Sequence, residues 1–293
     1  MHLLGLAESE CAIHPQLCGK AGRQVYTQAN CIANIPRKRM SMKMTVKYSL
    51  SKVPEVTLVF WIIKIAATTL GETAGDAVSM SLNLGYFHST LIFASLFLLA
   101  VVAQIKAKTF HPLLYWATII ATTTVGTTLA DLADRSLGIG YAGGSSLLLV
   151  LLLASLFTWY RSMGTVSVEA ISSPKAEMFY WMTIMFSQTL GTALGDWTAD
   201  TSGLGYGGGA LVFSALLAMI AAAYYWTNLS RTLLFWAAFI LTRPLGAVVG
   251  DFLDKPVAEG GLALSRYTAS AVLFAFMLAC ILIFKQKMAT KSH

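Results

Sequence analysis

Four aspartates recur at one fixed distance from a tryptophan. Trp61, Trp116, Trp181 and Trp236 are each preceded by Phe or Tyr. Each is followed ten residues on by a glycine (Gly71, Gly126, Gly191, Gly246) and fifteen residues on by an aspartate (Asp76, Asp131, Asp196, Asp251). If the tryptophans mark the cytoplasmic interface of membrane-crossing helices, as belt aromatics do, a rise of about 1.5 Å per residue puts each aspartate roughly 22 Å deeper, in the outer half of a bilayer. An ionised carboxylate there costs about 2.5–3.5 kcal/mol, so the four must face one another, water or a cation. A plain outer-end cap is the structural alternative. It is disfavoured because these helices run outward, which places each Asp at a C-terminal end where the macrodipole is already negative.

Other polar residues differ between the four blocks. Block one adds Lys64 and Glu72, block three Gln188, and block four Arg243 before Pro244; Asp-x-x-Asp occurs only in blocks two (Asp131, Asp134) and four (Asp251, Asp254). Glu72 and Asp76 are i and i+4, hence on one helix face. Lys64, only three residues past Trp61, could snorkel to the interface or pair with an acid. Buried Arg243 needs an acid partner, for which the aspartates of neighbouring blocks are the nearest candidates. Pro244 would free a carbonyl that can line a cavity.

The embedded set is then Glu72, Asp76, Asp131, Asp196 and Asp251 against Lys64 and Arg243, a formal excess of three negative charges. With no His or Cys beside the acids, the donors are oxygens. Oxygen donors suit protons or hard cations such as sodium, magnesium or manganese rather than zinc or copper; which metal, if any, is left open. Threonines at 68, 69, 123, 124, 127, 128, 189 and 192 supply further oxygens or, equally, helix-to-helix hydrogen bonds. The small residues of LGETAGD (70–76), VGTTLAD (125–131), LGTALGD (190–196) and LGAVVGD (245–251) read first as packing seams: Gly71, Gly75, Gly126, Gly191, Gly195, Gly246 and Gly250 let backbones approach.

The elements that must carry these residues are apolar helices. The chain has 293 residues, 56% of them apolar and 12% charged, with mean hydropathy +0.64. An ordinary soluble globule carries about a quarter charged residues, so a polytopic all-α membrane protein is expected. Eight apolar runs follow Pro54, at about 55–79, 88–105, 112–133, 141–160, 177–199, 207–227, 232–253 and 267–285. Sixteen of the 21 Lys and Arg lie in the termini and alternate gaps; the opposite gaps hold only Arg135, Lys255 and Arg266. By the positive-inside rule both termini are cytoplasmic, in an inner (plasma) membrane. The net charge of +7 is thus a topology signal and not a nucleic-acid patch.

Each block is a motif-bearing helix followed by a plainer one. A tyrosine stands 25 residues after the first three tryptophans (Tyr86, Tyr141, Tyr206), while the fourth block, with an insertion, reaches Tyr267 later. Block spacings of 55, 65 and 55 residues predict a duplicated four-helix module with pseudo-twofold pairing: residues 54–160 and 177–285 as halves, 161–176 as linker, and 286–293 as a tail. Residues 1–53 are basic, expected to be disordered and partly an over-long start; Cys11, Cys18 and Cys31 there carry no expected chemistry, and a chain beginning at Met44 should insert normally.

On the tryptophan register and the Gly-x-x-x-Gly-Asp strings, residues 54–285 resemble a family of bacterial membrane-anchored proteins built from four tandem repeats of unknown function. The resemblance implies two transmembrane segments and a characteristic tryptophan per repeat, and no biochemical activity. From the residues themselves three classes remain: a secondary transporter using the carboxylates for proton or cation coupling, a cation channel with an aspartate ring, and a non-transporting scaffold whose acids satisfy Lys64 and Arg243. The unequal blocks favour the transporter. No enzyme and no cofactor are expected: Gly207-Gly208-Gly209 lacks a strand context, and His88 and His111 are single residues at helix ends.

Overall fold

A computed structural model describes residues 51–201 and 203–289. Among the described residues are eight α-helices: α1 (Leu58–Asp76), α2 (Gly85–Lys106), α3 (Pro112–Asp131), α4 (Tyr141–Met163), α5 (Pro174–Asp196), α6 (Gly205–Trp226), α7 (Arg231–Asp254) and α8 (Arg266–Ile283). The expectations for residues 1–43 and their cysteines lie outside the described residues. Ser51, Lys52 and Val53, assigned above to a disordered tail, are instead part of the fold. Val53 and Ser51 are buried, Ser51 Oγ donates to Val168 O, and Lys52 Nζ pairs with Glu177 at 2.7 Å. The segment before α1 also joins the one after α8, Glu55 N donating to Lys287 O and Ala289 N to Val53 O.

The motif-bearing helices α1, α3, α5 and α7 form a closed inner ring, in which α1 packs on α3, α3 on α5, α5 on α7 and α7 on α1. The plainer helices lie outside. Each packs against the motif helix of the following repeat: α2 on α3, α4 on α5, α6 on α7, and α8 back on α1. Seven helices are long and apolar enough to cross a membrane. Among these, the inner three are 67–72% buried and the outer four 11–28%, and the outer helices present leucines such as Leu98, Leu99, Leu153 and Leu211 to the surroundings. The eighth, α5, has 23 residues but carries Lys175, Glu177, Gln188 and Asp196, which lower its hydropathy.

Small residues close the ring. A Cβ on Gly71 would fall on Thr123, one on Gly126 on Gln188, one on Gly191 on Arg243, and one on Gly246 on Thr68. In every case the glycine ten residues after a tryptophan receives the side chain seven residues after the next tryptophan, the fourth repeat handing on to the first. Threonines bridge the same seams, with Thr123 Oγ1 donating to Ala67 O and Thr68 Oγ1 to Thr242 O. Hydroxyl-to-carbonyl bonds of this kind hold helices where lipid supplies no hydrophobic drive.

The helices α1, α3 and α5 end at their aspartates in π-turns, Ala77–Ser81, Leu132–Ser136 and Trp197–Thr201. In contrast, α7 runs as α-helix through Pro244 to Asp254, and the loop that follows folds back on it, with Leu262 N donating to Phe252 O and Leu264 N to Leu253 O. The chain then reverses at a left-handed glycine 24 residues after each tryptophan: Gly85, Gly140, Gly205 and Gly260, with φ between 62° and 87°. Only glycine takes that conformation without strain, which is why this position repeats.

Candidate functional site

The inner ring encloses a column of polar side chains, stacked in layers that follow the repeat register. At one end it is shut by aromatics. Phe60 meets Trp116, Tyr115 meets Trp181, Tyr180 meets Trp236, and Phe235 meets Trp61, with ring centroids 5.4–6.2 Å apart. Tyr115 and Tyr180 also share a 2.7 Å hydroxyl hydrogen bond. Trp116, Trp181 and Trp236 are at most 4% exposed. The expected belt of interfacial tryptophans is therefore largely a collar inside the protein: each indole meets an aromatic of the preceding repeat, and only Trp61 stays half-buried.

One turn further, Lys64 is fully buried. Neither a snorkelling position nor an acid partner is seen: among the described residues no group accepts a hydrogen bond from Nζ, which lies 4.2 Å from the centre of the Phe239 ring. Gln188, lodged at Gly126, is likewise without a hydrogen-bond partner for its amide among those residues.

Arg243 crosses the axis in the next layer. Its Nη2 donates to Glu72 Oε2 at 2.8 Å, to Thr127 Oγ1 at 2.6 Å and to Thr192 Oγ1, and Nη1 donates to Thr68 O. One guanidinium thus touches α1, α3 and α5 while standing on α7. Its acid is Glu72 and not an aspartate, as expected above; Gly191 and Gly250 make this possible by admitting the stems of Arg243 and Glu72.

The four aspartates form the following layer and are all buried, but they are not a free ring. Arg135 joins Asp131 (3.1 Å) to Asp196 (3.3 Å), and Lys255 joins Asp251 (3.2 Å) to Asp76 (2.7 Å). Arg266 pairs with Asp254 at 3.2 Å and approaches Asp76 at 3.8 Å. Helix packing repeats four times around the axis, whereas these bridges repeat twice. Burial disfavours the charge on Lys255, but Asp251 and Asp76 outweigh it and hold the ammonium above the ordinary lysine range. Asp134, by contrast, has no hydrogen-bond partner among the described residues for either oxygen and abuts Gly144 of α4.

The expected excess of three negative charges needs correction. Adding Arg135 and Lys255 to the embedded set gives five acids against four bases, Lys64, Arg243, Arg135 and Lys255. Both added residues lie one helical turn past an aspartate, where they were read only as loop charges. Continuing the register would have found them: Met80, Arg135, Asp200 and Lys255 all stand 19 residues after a tryptophan. Arg266 carried no such signal.

Those same four residues, with Tyr141, Tyr206, Pro256, Glu259 and Arg266, line an open cavity of about 500 Å³ over the aspartates. The repeated tyrosines reach across to them. Arg135 Nη1 donates to Tyr86 Oη at 3.3 Å, and Tyr141 Oη donates to Asp200 at 2.8 Å. Beneath this vestibule, one carboxylate oxygen each from Glu72, Asp76 and Asp251 lie within 4.8 Å of one another, a spacing that can hold a metal ion.

Four tandem helix pairs, apolar without and polar within, define a helical membrane protein built from internal repeats. Its repeats match a family described as Repeat of Unknown Function (DUF347), at residues 59–110, 114–165, 179–230 and 234–287, and the chain belongs to that family. No curated protein and no solved structure matches it.

Proposed function

We propose that this protein is a secondary transporter of a cation or small solute, with eight membrane spans and both termini cytoplasmic in the inner membrane, and that its buried carboxylates couple movement to protons or hard cations. One observation carries the reading. Ionisable side chains continue from the vestibule through the aspartates to Glu72, Arg243 and Lys64, inside a ring whose opposite end is shut by aromatics. Charged residues at such depth are costly and cluster along substrate or ion paths. A column open at one end and closed at the other is the form an alternating-access carrier takes in one of its states.

Arg243 spanning the axis speaks against a continuously open channel. A passive scaffold would need no Lys64 without a counter-charge and no vestibule. The orientation follows the partition of Lys and Arg, which puts the vestibule outside. Phosphate-loop and nucleophile-base chemistry have no residues here, so an enzyme is not proposed.

The test is flux. Proteoliposomes carrying the full chain and a trapped pH dye are given an imposed proton or sodium gradient, with and without candidate cations. Gradient-driven, saturable movement that is lost in Asp196→Asn supports the reading; equal dye traces in protein-bearing and empty vesicles sink it.

A further inference from the structure

The two aspartate bridges occupy equivalent places in the repeat but differ in chemistry. On one side Arg135, held by Asp131, Asp196 and the Tyr86 hydroxyl, is a planar fork with its donors engaged. On the other the cation is a lysine, a compact ammonium on a flexible stem. The repeat register adds a second difference. Eleven residues after the tryptophan, the Arg135 side offers Thr192, whereas the Lys255 side offers a third carboxylate, Glu72, admitted by Gly250.

We propose that Glu72, Asp76 and Asp251 form an exchangeable site for a monovalent hard cation, sodium being the probe, and that the Lys255 ammonium is its tethered competitor. Three observations converge. The three carboxylates are at most 2% exposed and close enough to share one ion. Asp251 Oδ1 is buried and receives no hydrogen bond among the described residues, although Lys255 Nζ stands 3.2 Å away, so the ammonium leaves this oxygen's coordination incomplete. Lys255 itself lies just past the end of α7 and lines the vestibule, so its side chain has room to withdraw.

Exchange of one ammonium for one monovalent ion leaves the charge of the column unchanged, which a divalent ion would not. Oxygen donors alone select hard cations. The Arg135 side, with a permanently charged fork and Thr192 in place of the glutamate, remains a fixed bridge. The proposal rests on the transport reading for its purpose, but the site is tested by equilibrium binding, with no flux measured.

Full-length protein in detergent is melted across a sodium chloride series, with N-methylglucamine chloride keeping ionic strength constant. In Lys255→Met the cluster lacks its ammonium. Its melting midpoint should climb with sodium, and its apparent sodium affinity should be at least tenfold tighter than that of the wild type. Lys255→Met/Asp251→Asn should lose that response, and Arg135→Met, which leaves the Lys255 side intact, should respond no more than the wild type. A folded Lys255→Met protein whose midpoint is flat in sodium overturns the proposal, as does an equal response in Arg135→Met. A response to magnesium without one to sodium overturns the monovalent assignment. Lys255→Arg, which keeps the charge, gives a second route should Lys255→Met not fold: it should bind radioactive sodium more weakly than wild type, and equal or tighter binding refutes competition. Sodium binding without vesicle flux would leave the site standing and remove the transporter; flux with no sodium response would do the reverse.

Discussion

At the scale of single residues, the decisive interaction is the Glu72–Arg243 pair, both members of which are at most 2% exposed. Removing one partner of a buried pair strands the other charge, at a cost of about 3–5 kcal/mol. Glu72→Gln should therefore lower the thermal stability of purified protein by that amount, and Glu72→Gln/Arg243→Leu should recover part of it. Additive losses would show that the two do not act as a pair. The same substitution at Asp196, whose partner Arg135 has a side chain 31% exposed and can turn to water, should be milder, by about 1–2 kcal/mol. The aspartates were legible in the sequence because a fixed spacing from tryptophan exposed them. The partner of Arg243 was not, since an arginine reaches across a helix bundle and spacing along the chain says nothing about which helix lies opposite. Lys64 misled for a related reason: closeness to half-buried Trp61 implied an interface, whereas the lysine is fully buried with Nζ over the Phe239 ring.

At the scale of elements, the glycine stripes decide how near the inner helices come. Gly191 faces the Cβ and Cγ of Arg243, the stiff end of that side chain, so a methyl group at position 191 must move backbone. Overpacking of this kind costs about 1–3 kcal/mol. Gly191→Ala should lower the melting midpoint and weaken the Glu72–Arg243 contact, while Gly207→Ala on α6, where a Cβ meets nothing within 4 Å, should be neutral or slightly stabilising. Comparing the two melting curves checks this; equal effects would mean the seam is not tight. Helices and repeats could be read from the chain because hydropathy and the tryptophan register are local signals. The ring could not: nothing within a block tells which motif helix its second helix covers, or that the four motif helices close on one another, a closure made by contacts as distant in sequence as Thr123 Oγ1 on Ala67 O, 56 residues apart.

At the scale of the whole molecule, orientation and closure are the testable properties. Reporter fusions after residues 136 and 256 should read as external, since the segments there hold only Arg135, Lys255 and Arg266 of the basic residues. Cytoplasmic signal from both would invert the topology and put the vestibule on the inside. The backbone pairing of 53–55 with 287–289 also brings the start of α1 beside the end of α8. A permuted chain that joins 289 to 51 through a short linker and opens at Thr227–Leu229, an exposed break between α6 and α7, should give monodisperse protein with an unchanged melting midpoint.

Because every repeat lends its outer helix to its neighbour, no repeat is self-sufficient. An isolated first repeat would bring α2 without the α3 it covers and leave α1 without α8. Halves are different in kind: residues 51–163 contain α1 to α4, and the remainder contains α5 to α8, so each half presents one lent helix and one bare inner helix to the other. The two pieces are complementary at both junctions, like two hands each gripping the other's wrist. Co-expressed as separate chains, they should co-purify as one complex, and two copies of a single half, each offering the other the same lent and bare helices, should close a ring of the same kind.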